Sequence, residues 1–152
     1  MIVVCDTTAI TTLLKTGDED LLAKLFGTVI VPPAVWDELR IFHSHLPDFI
    51  VVRSLSDAIR PANTERLGRG ETEAMQLARQ INADWLLLDD RQARATAVRL
   101  GLRCAGLTGL LIKAKQLGHI RSVRESLERL EQRGGLYLSD AVKDEALRQA
   151  GE

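Results

Sequence analysis

Five carboxylates of this chain sit beside apolar residues, where a charge is out of place. Asp6 ends the opening run Ile2-Val3-Val4-Cys5, and Asp89 and Asp90 follow Trp85-Leu86-Leu87-Leu88. Glu38 interrupts the apolar side of a stretch from Val35 to Phe42, and Glu71 opens the stretch to Ile81 on its apolar side. Like charges gathered in a poorly solvated pocket repel one another and are costly to desolvate, so such a cluster needs a counter-charge. A hard divalent cation, Mg²⁺ or Mn²⁺, supplies it and takes oxygen ligands alone. The chemistry that follows is metal-assisted hydrolysis, with Asp6, Glu38, Glu71, Asp89 and Asp90 as candidate ligands and catalytic groups.

Each acid also has an ordinary structural role open to it. Asp6 is placed equally well to cap a helix, although Thr7 or Thr8 can take that task and leave Asp6 free. Helical spacing puts Val35, Glu38, Leu39 and Phe42 on one face, so Glu38 either needs a partner or reaches water at the stripe's edge. Positions 71, 74, 75 and 78 carry Glu, Ala, Met and Ala on one face, which turns Glu71 inward and Glu73 toward solvent. Glu71 alone is explained by the helix dipole, worth roughly 0.3–1 kcal/mol. Neighbouring residues at a strand end point apart, so of Asp89 and Asp90 one binds metal directly and the other through water, or one caps a helix.

These side chains need a scaffold that brings them together. The apolar runs at 2–5, 28–31, 49–53, 85–88 and 102–105 read as strands. Helical segments are expected near 7–16, 18–26, 33–42, 71–81, 91–100, 107–117, 121–132 and 139–149, with a loop-rich stretch at 54–70 that includes Pro61 and the turn Gly68-Arg69-Gly70. Strands alternating with helices predict a three-layer α/β/α sandwich around a central parallel sheet, one domain over residues 1–152. Ligands gather at the carboxyl ends of such strands, and Asp6 and Asp89/Asp90 fall at two of them.

Composition narrows the alternatives. Hydrophobic residues make up 45% and charged residues 27%, as in a soluble globular protein. No apolar run approaches the ~20 residues that span a bilayer, and Asp6 breaks the only N-terminal apolar stretch, so neither an anchor nor a signal peptide is expected. Cys5 and Cys104 read as reduced, buried thiols of a cytoplasmic protein. His43, His45 and His119 offer no zinc spacing, and His43-Ser44-His45 reads as an exposed loop. No phosphate-binding glycine loop and no Ser/His/Asp set is present. The net charge of −1 conceals a split: residues 1–90 hold 8 Lys/Arg against 14 Asp/Glu, residues 91–133 hold 10 against 3. That basic segment reads either as solvated helix faces or as a surface for an anionic substrate beside the acids. Arg91 and Arg94, just past the last acids, can meet phosphates or pair with nearby carboxylates.

The segments VVCDTT at 3–8, VIVPPAVWDEL at 29–39, LGRGETEAMQLA at 67–78 and ADWLLLDDRQARATAVRLGL at 83–102 resemble the PIN-domain nucleases. These include the VapC-type toxins of prokaryotic toxin–antitoxin pairs and a PIN-like branch of predicted nucleic-acid-binding proteins. The resemblance implies that Asp6, Glu38, Glu71 and the pair Asp89/Asp90 stand at the family's four acidic positions, with Thr8 beside the metal. Two departures stand out: Glu71 replaces a frequent Asp, and Leu88 precedes Asp89 where the toxins often carry Thr or Ser. The implied function is a Mg²⁺- or Mn²⁺-dependent endoribonuclease toxin that cuts RNA, forms a homodimer and is silenced by a small antitoxin protein. The alternatives are a non-catalytic nucleic-acid- or partner-binding module and a hydrolase for small phosphate esters.

Overall fold

The computed structural model describes residues 1–56 and 67–152. The loop expected around Pro61 lies outside them. Among the described residues five short strands form the sheet: β1 (Val3–Cys5), β2 (Val29–Val31), β3 (Ile50–Val52), β4 (Trp85–Leu87) and β5 (Cys104–Ala105). Their order is β3-β2-β1-β4-β5, and every pairing is parallel. Among the described residues eight helices surround them: α1 (Thr7–Thr16), α2 (Asp20–Phe26), α3 (Pro33–Phe42), α4 (Arg69–Gln80), α5 (Arg91–Arg99), α6 (Leu107–Gln116), α7 (Val123–Gln132) and α8 (Asp140–Gln149).

Alternate strand residues face opposite sides of the sheet, and both sides are covered, which is why the strands read as unbroken apolar runs. Val3, Cys5, Val29, Val31 and Leu87 pack with α1, α2, α3, α6, α7 and α8, while Val4 and Leu86 pack with α4 and α5. The result is the expected three-layer α/β/α arrangement. Among the described residues no helix is long and apolar enough to cross a membrane.

Several local expectations change. Helix α4 starts at Arg69 rather than Glu71, so Arg69 and Gly70 are helical rather than part of a turn; Gly68 occupies the cap position and the Glu71 carboxylate reaches back to its amide. Phe42, expected on the core face of α3, is 77% exposed, because it is the last helical residue and the chain leaves the helix at His43. Cys5 is buried in β1, and burial with the neighbouring Asp6 charge drives its thiol far up in pKa; Cys104, on an edge strand, is only half-buried. Ser44 and His45 are exposed as expected, but His43 is half-buried.

The strand order reverses between β1 and β4, the central pair, which register Cys5 against Leu87. That is the switch point where such sheets open a crevice at their carboxyl edge. Asp6 leaves β1 there and Asp89 leaves β4 there. On the opposite layer, the turn between α1 and α2 is tied to α7 by a fork: Arg129 Nε and Nη2 donate to the two Asp18 oxygens at 3.3 and 3.2 Å, and Nη2 also reaches Ser126 Oγ at 3.1 Å. Arg129→Met should lower unfolding free energy by roughly 1–2 kcal/mol, a modest value because the pair is partly solvated. Urea melts of the two proteins check it, and an unchanged midpoint would show that the fork adds nothing to stability.

Candidate active site

Asp6 is 1% exposed and immediately precedes α1. Its Oδ1 accepts the Ala9 amide at 3.0 Å, so Asp6, rather than Thr7 or Thr8, caps the helix. Its Oδ2 is buried with no hydrogen-bond partner. Burial is the main reason its carboxyl is raised from 3.8 to about 7; the Ala9 amide opposes this, and the Asp89 and Glu71 charges add to it. The Asp89 amide eases it slightly without reaching hydrogen-bond geometry.

The Asp89/Asp90 pair divides its tasks. Asp90 is exposed and caps α5, its Oδ1 accepting the Ala93 amide at 2.8 Å. Asp89 turns into the crevice: Oδ1 accepts the Leu107 amide at the start of α6 at 3.2 Å, and Oδ2 is buried without a partner. Burial raises the Asp89 carboxyl; the Leu107 amide and the Arg94 guanidinium pull it back, and Asp90 pushes it up.

Glu38 and Glu71 approach from the other side. Thr7 Oγ1 donates a short hydrogen bond to Glu38 Oε2. A Cβ on Gly70 would stand 2.7 Å from that oxygen, so the missing side chain is what admits the carboxylate. Glu71 is half-buried, as its helical face predicts, and Ala74, Met75 and Ala78 on that face are fully buried. Burial raises its carboxyl, the Gly68 amide lowers it, and the charges of Asp90 and Glu38 raise it further. Glu73 overturns the sequence reading. It is not solvent-facing: Oε2 accepts the Ala34 amide at the start of α3 at 2.8 Å, and Oε1 meets Arg69 at 3.4 Å. It lies on the flank of α4 that packs against α3, a contact helical periodicity alone does not reveal.

The five expected acids are thus linked at the carboxyl edge of the sheet by neighbouring charges: Asp6 with Asp89 and Glu71, Glu71 with Asp90 and Glu38, and Asp89 with Asp90. Thr8 and Arg91 are exposed beside them, and Arg94 is half-buried. Thr7, Gly70 and Gly106 lie against these acids; Thr7 reads from sequence as a helix cap and Gly70 as a point of close approach, whereas Gly106 carried no mark beyond following a strand. Among the described residues no three His, Cys, Asp or Glu side chains stand close enough to form a ready coordination sphere. The donor set still suits a hard cation. It is all carboxylate oxygen, it includes two buried unpartnered atoms, and Mg²⁺ retains several waters and takes only one or two carboxylates directly.

A PIN-domain family model matches residues 2–152. A PilT N-terminus domain protein from the hyperthermophilic archaeon Sulfolobus solfataricus P2 shares the fold, with a TM-score of 0.55 and 20% identity over 79% of this chain and 97% of that one. No curated protein matches the chain. The family match spans almost every residue and the parallel sheet agrees with it, so the chain belongs to the PIN-domain family, a family of nuclease-type fold.

Proposed function

We propose that this protein is a Mg²⁺- or Mn²⁺-dependent endoribonuclease, the toxin of a toxin–antitoxin pair. The observation that supports it most is the pair of buried, unpartnered oxygens, Asp6 Oδ2 and Asp89 Oδ2, at the ends of adjacent central strands. Leaving such atoms without a partner costs about 1–3 kcal/mol each, a cost that a bound cation removes. A divalent cation there supplies charge stabilisation for a phosphodiester under attack and acidifies water. Asp6 and Asp89 are the direct ligands in this reading. Glu38 and Glu71 hold coordinated water, and Glu71, with its raised carboxyl, accepts a proton. Asp90 keeps its oxygen on the Ala93 amide of α5 and contributes charge. Cleavage of RNA in Mn²⁺, abolished by EDTA, with no turnover of a generic phosphomonoester, is the direct test.

The same reading includes a cytoplasmic homodimer and a small antitoxin that covers the crevice with an Arg or Lys. Ile41 and Phe42, 72% and 77% exposed at the end of α3, are apolar surface available to a second chain. A second reading is a non-catalytic nucleic-acid- or partner-binding module that keeps the acids without using them. RNA binding without cleavage in any divalent metal would select it.

Because Asp6 is raised from 3.8 to about 7 in the fold, its ionisation opposes folding above that value by roughly 4 kcal/mol. The penalty is absent below 3.8, grows as pH rises between the two values and is complete above about 7. Metal-free Asp6→Asn should therefore melt higher than the wild type above pH 7, with the advantage vanishing in acid, while gaining less stability from Mn²⁺. Melting curves across pH with and without Mn²⁺ decide this; a variant that gains as much from Mn²⁺ as the wild type removes Asp6 from the site.

Glu71 and Glu73 should separate by readout. Glu71→Gln should cut RNA cleavage at least about tenfold with little change in melting temperature. Glu73→Ala should instead cost stability, about 1 kcal/mol for a lost cap on α3. Equal losses of activity with equal stabilities would sink the distinction.

A further inference from the structure

Three arginines follow the last acids, and the structure separates them. Arg91 is exposed. Arg99 donates to Thr96 Oγ1 at 3.1 Å on its own helix. Arg94 alone turns toward Asp89. It is half-buried, and its Nη1 reaches the Leu88 carbonyl at a long 3.4 Å. It lies near enough to Asp89 for the two charges to be felt, yet among the described residues no ion pair joins it to a carboxylate. Most of its five N–H donors are thus unspent, in a place where a guanidinium could pair with acids on several sides.

Its path runs over Gly106. A Cβ at that position would collide with Arg94 Nη1 and stand 3.6 Å from Asp89 Oδ1. Gly106 has φ −102 and ψ −178, extended backbone open to any residue, so the glycine is required by space and not by conformation. The space at the head of α6 is occupied by the Arg94 guanidinium, which a Cβ at Gly106 would displace.

We propose that Arg94 is the substrate-binding residue of the site: it grips a backbone phosphate of the RNA beside Asp89, with Gly106 giving its guanidinium passage. The fork of N–H donors matches two oxygens of a phosphodiester, which a compact ammonium cannot do. This rests on the nucleic-acid reading above but not on cleavage. In the absence of RNA the same charge faces Asp89 and repels a cation bound there.

Arg94→Met, Arg94→Lys and Gly106→Ala test it together. Two quantities are measured: Mn²⁺ affinity by calorimetry, and affinity for a fluorescent single-stranded RNA oligonucleotide by anisotropy, with Ca²⁺ replacing Mn²⁺. Arg94→Met should weaken RNA binding about tenfold while Mn²⁺ binding stays equal or tightens several-fold, because a nearby positive charge is gone. Arg94→Lys should restore the wild-type Mn²⁺ affinity without restoring RNA affinity. Gly106→Ala should weaken RNA binding alone and add nothing on top of Arg94→Met; with Arg94 intact it also carries the test if Arg94→Met fails to fold. Wild-type RNA affinity in Arg94→Met overturns the proposal, as does full RNA rescue by lysine. Loss of Mn²⁺ binding in Arg94→Met overturns it too, making Arg94 a support of the acids instead. A wild type that binds RNA but never cuts it sinks the nuclease reading and leaves Arg94 standing; one that binds no RNA sinks both.

Discussion

Of the six carboxylates gathered at the carboxyl edge of the sheet, five are partnered by the amides of helix starts, while Glu38 accepts from Thr7, and the site depends on this neutralisation. Ala9 N donates to Asp6, Ala34 N to Glu73, Gly68 N to Glu71, Ala93 N to Asp90 and Leu107 N to Asp89, at 2.8 to 3.2 Å. The arrangement follows from topology. In a parallel sheet each strand delivers the chain to the start of a helix on the same edge, so unpaired amides and their partial positive charge collect there. Acids placed on that edge meet a field that tolerates them before any metal arrives. The tolerance is partial: the carboxyls of Asp6, Asp89 and Glu71 are still raised, with burial the first cause each time.

This sharing dissolves an opposition that looked real at the level of sequence. Cap and metal ligand were alternatives for Asp6 and for the Asp89/Asp90 pair. A carboxylate has two oxygens, and Asp6 and Asp89 each spend one on a helix amide while the other remains buried and unpartnered. The amide fixes the rotamer, so the remaining oxygen is aimed without further support, which is the role a second contact plays in preorganised sites. Asp90, by contrast, is exposed. Two adjacent aspartates of identical chemistry are therefore distinguished by one strand's end: the chain turns between them.

What the sequence made legible was governed by local periodicity. The strands, the helices apart from the start of α4, and the inward face of Glu71 follow from patterns within one element, as does the place of Asp6 at a strand end. What it hid depends on a second element. Glu73 looks polar on α4 alone, and only the close packing of α3 turns it into a cap for Ala34. Phe42 belongs to the apolar stripe of α3, yet the helix ends before anything covers it. Arg91, Arg94 and Arg99 are equivalent in composition, and only the placement of Gly106, twelve residues beyond Arg94 and on another element, separates them.

The two glycines show where this fold accepts a local cost for the site. Gly70 lies in the first turn of α4, where glycine is worth up to ~1 kcal/mol less than alanine in a helix interior. Alanine would be the better local choice on propensity, but its Cβ would fall within 2.7 Å of Glu38 Oε2 and drive that carboxylate away from Thr7. Gly106 similarly keeps the passage for Arg94 open although its backbone would accept any residue. On opposite flanks of one crevice, an acid and a base each occupy a volume that a neighbouring side chain has vacated. A sequence optimised for stability alone has no reason to leave either volume empty, and departures of that kind are expected where function, rather than packing, sets the residue.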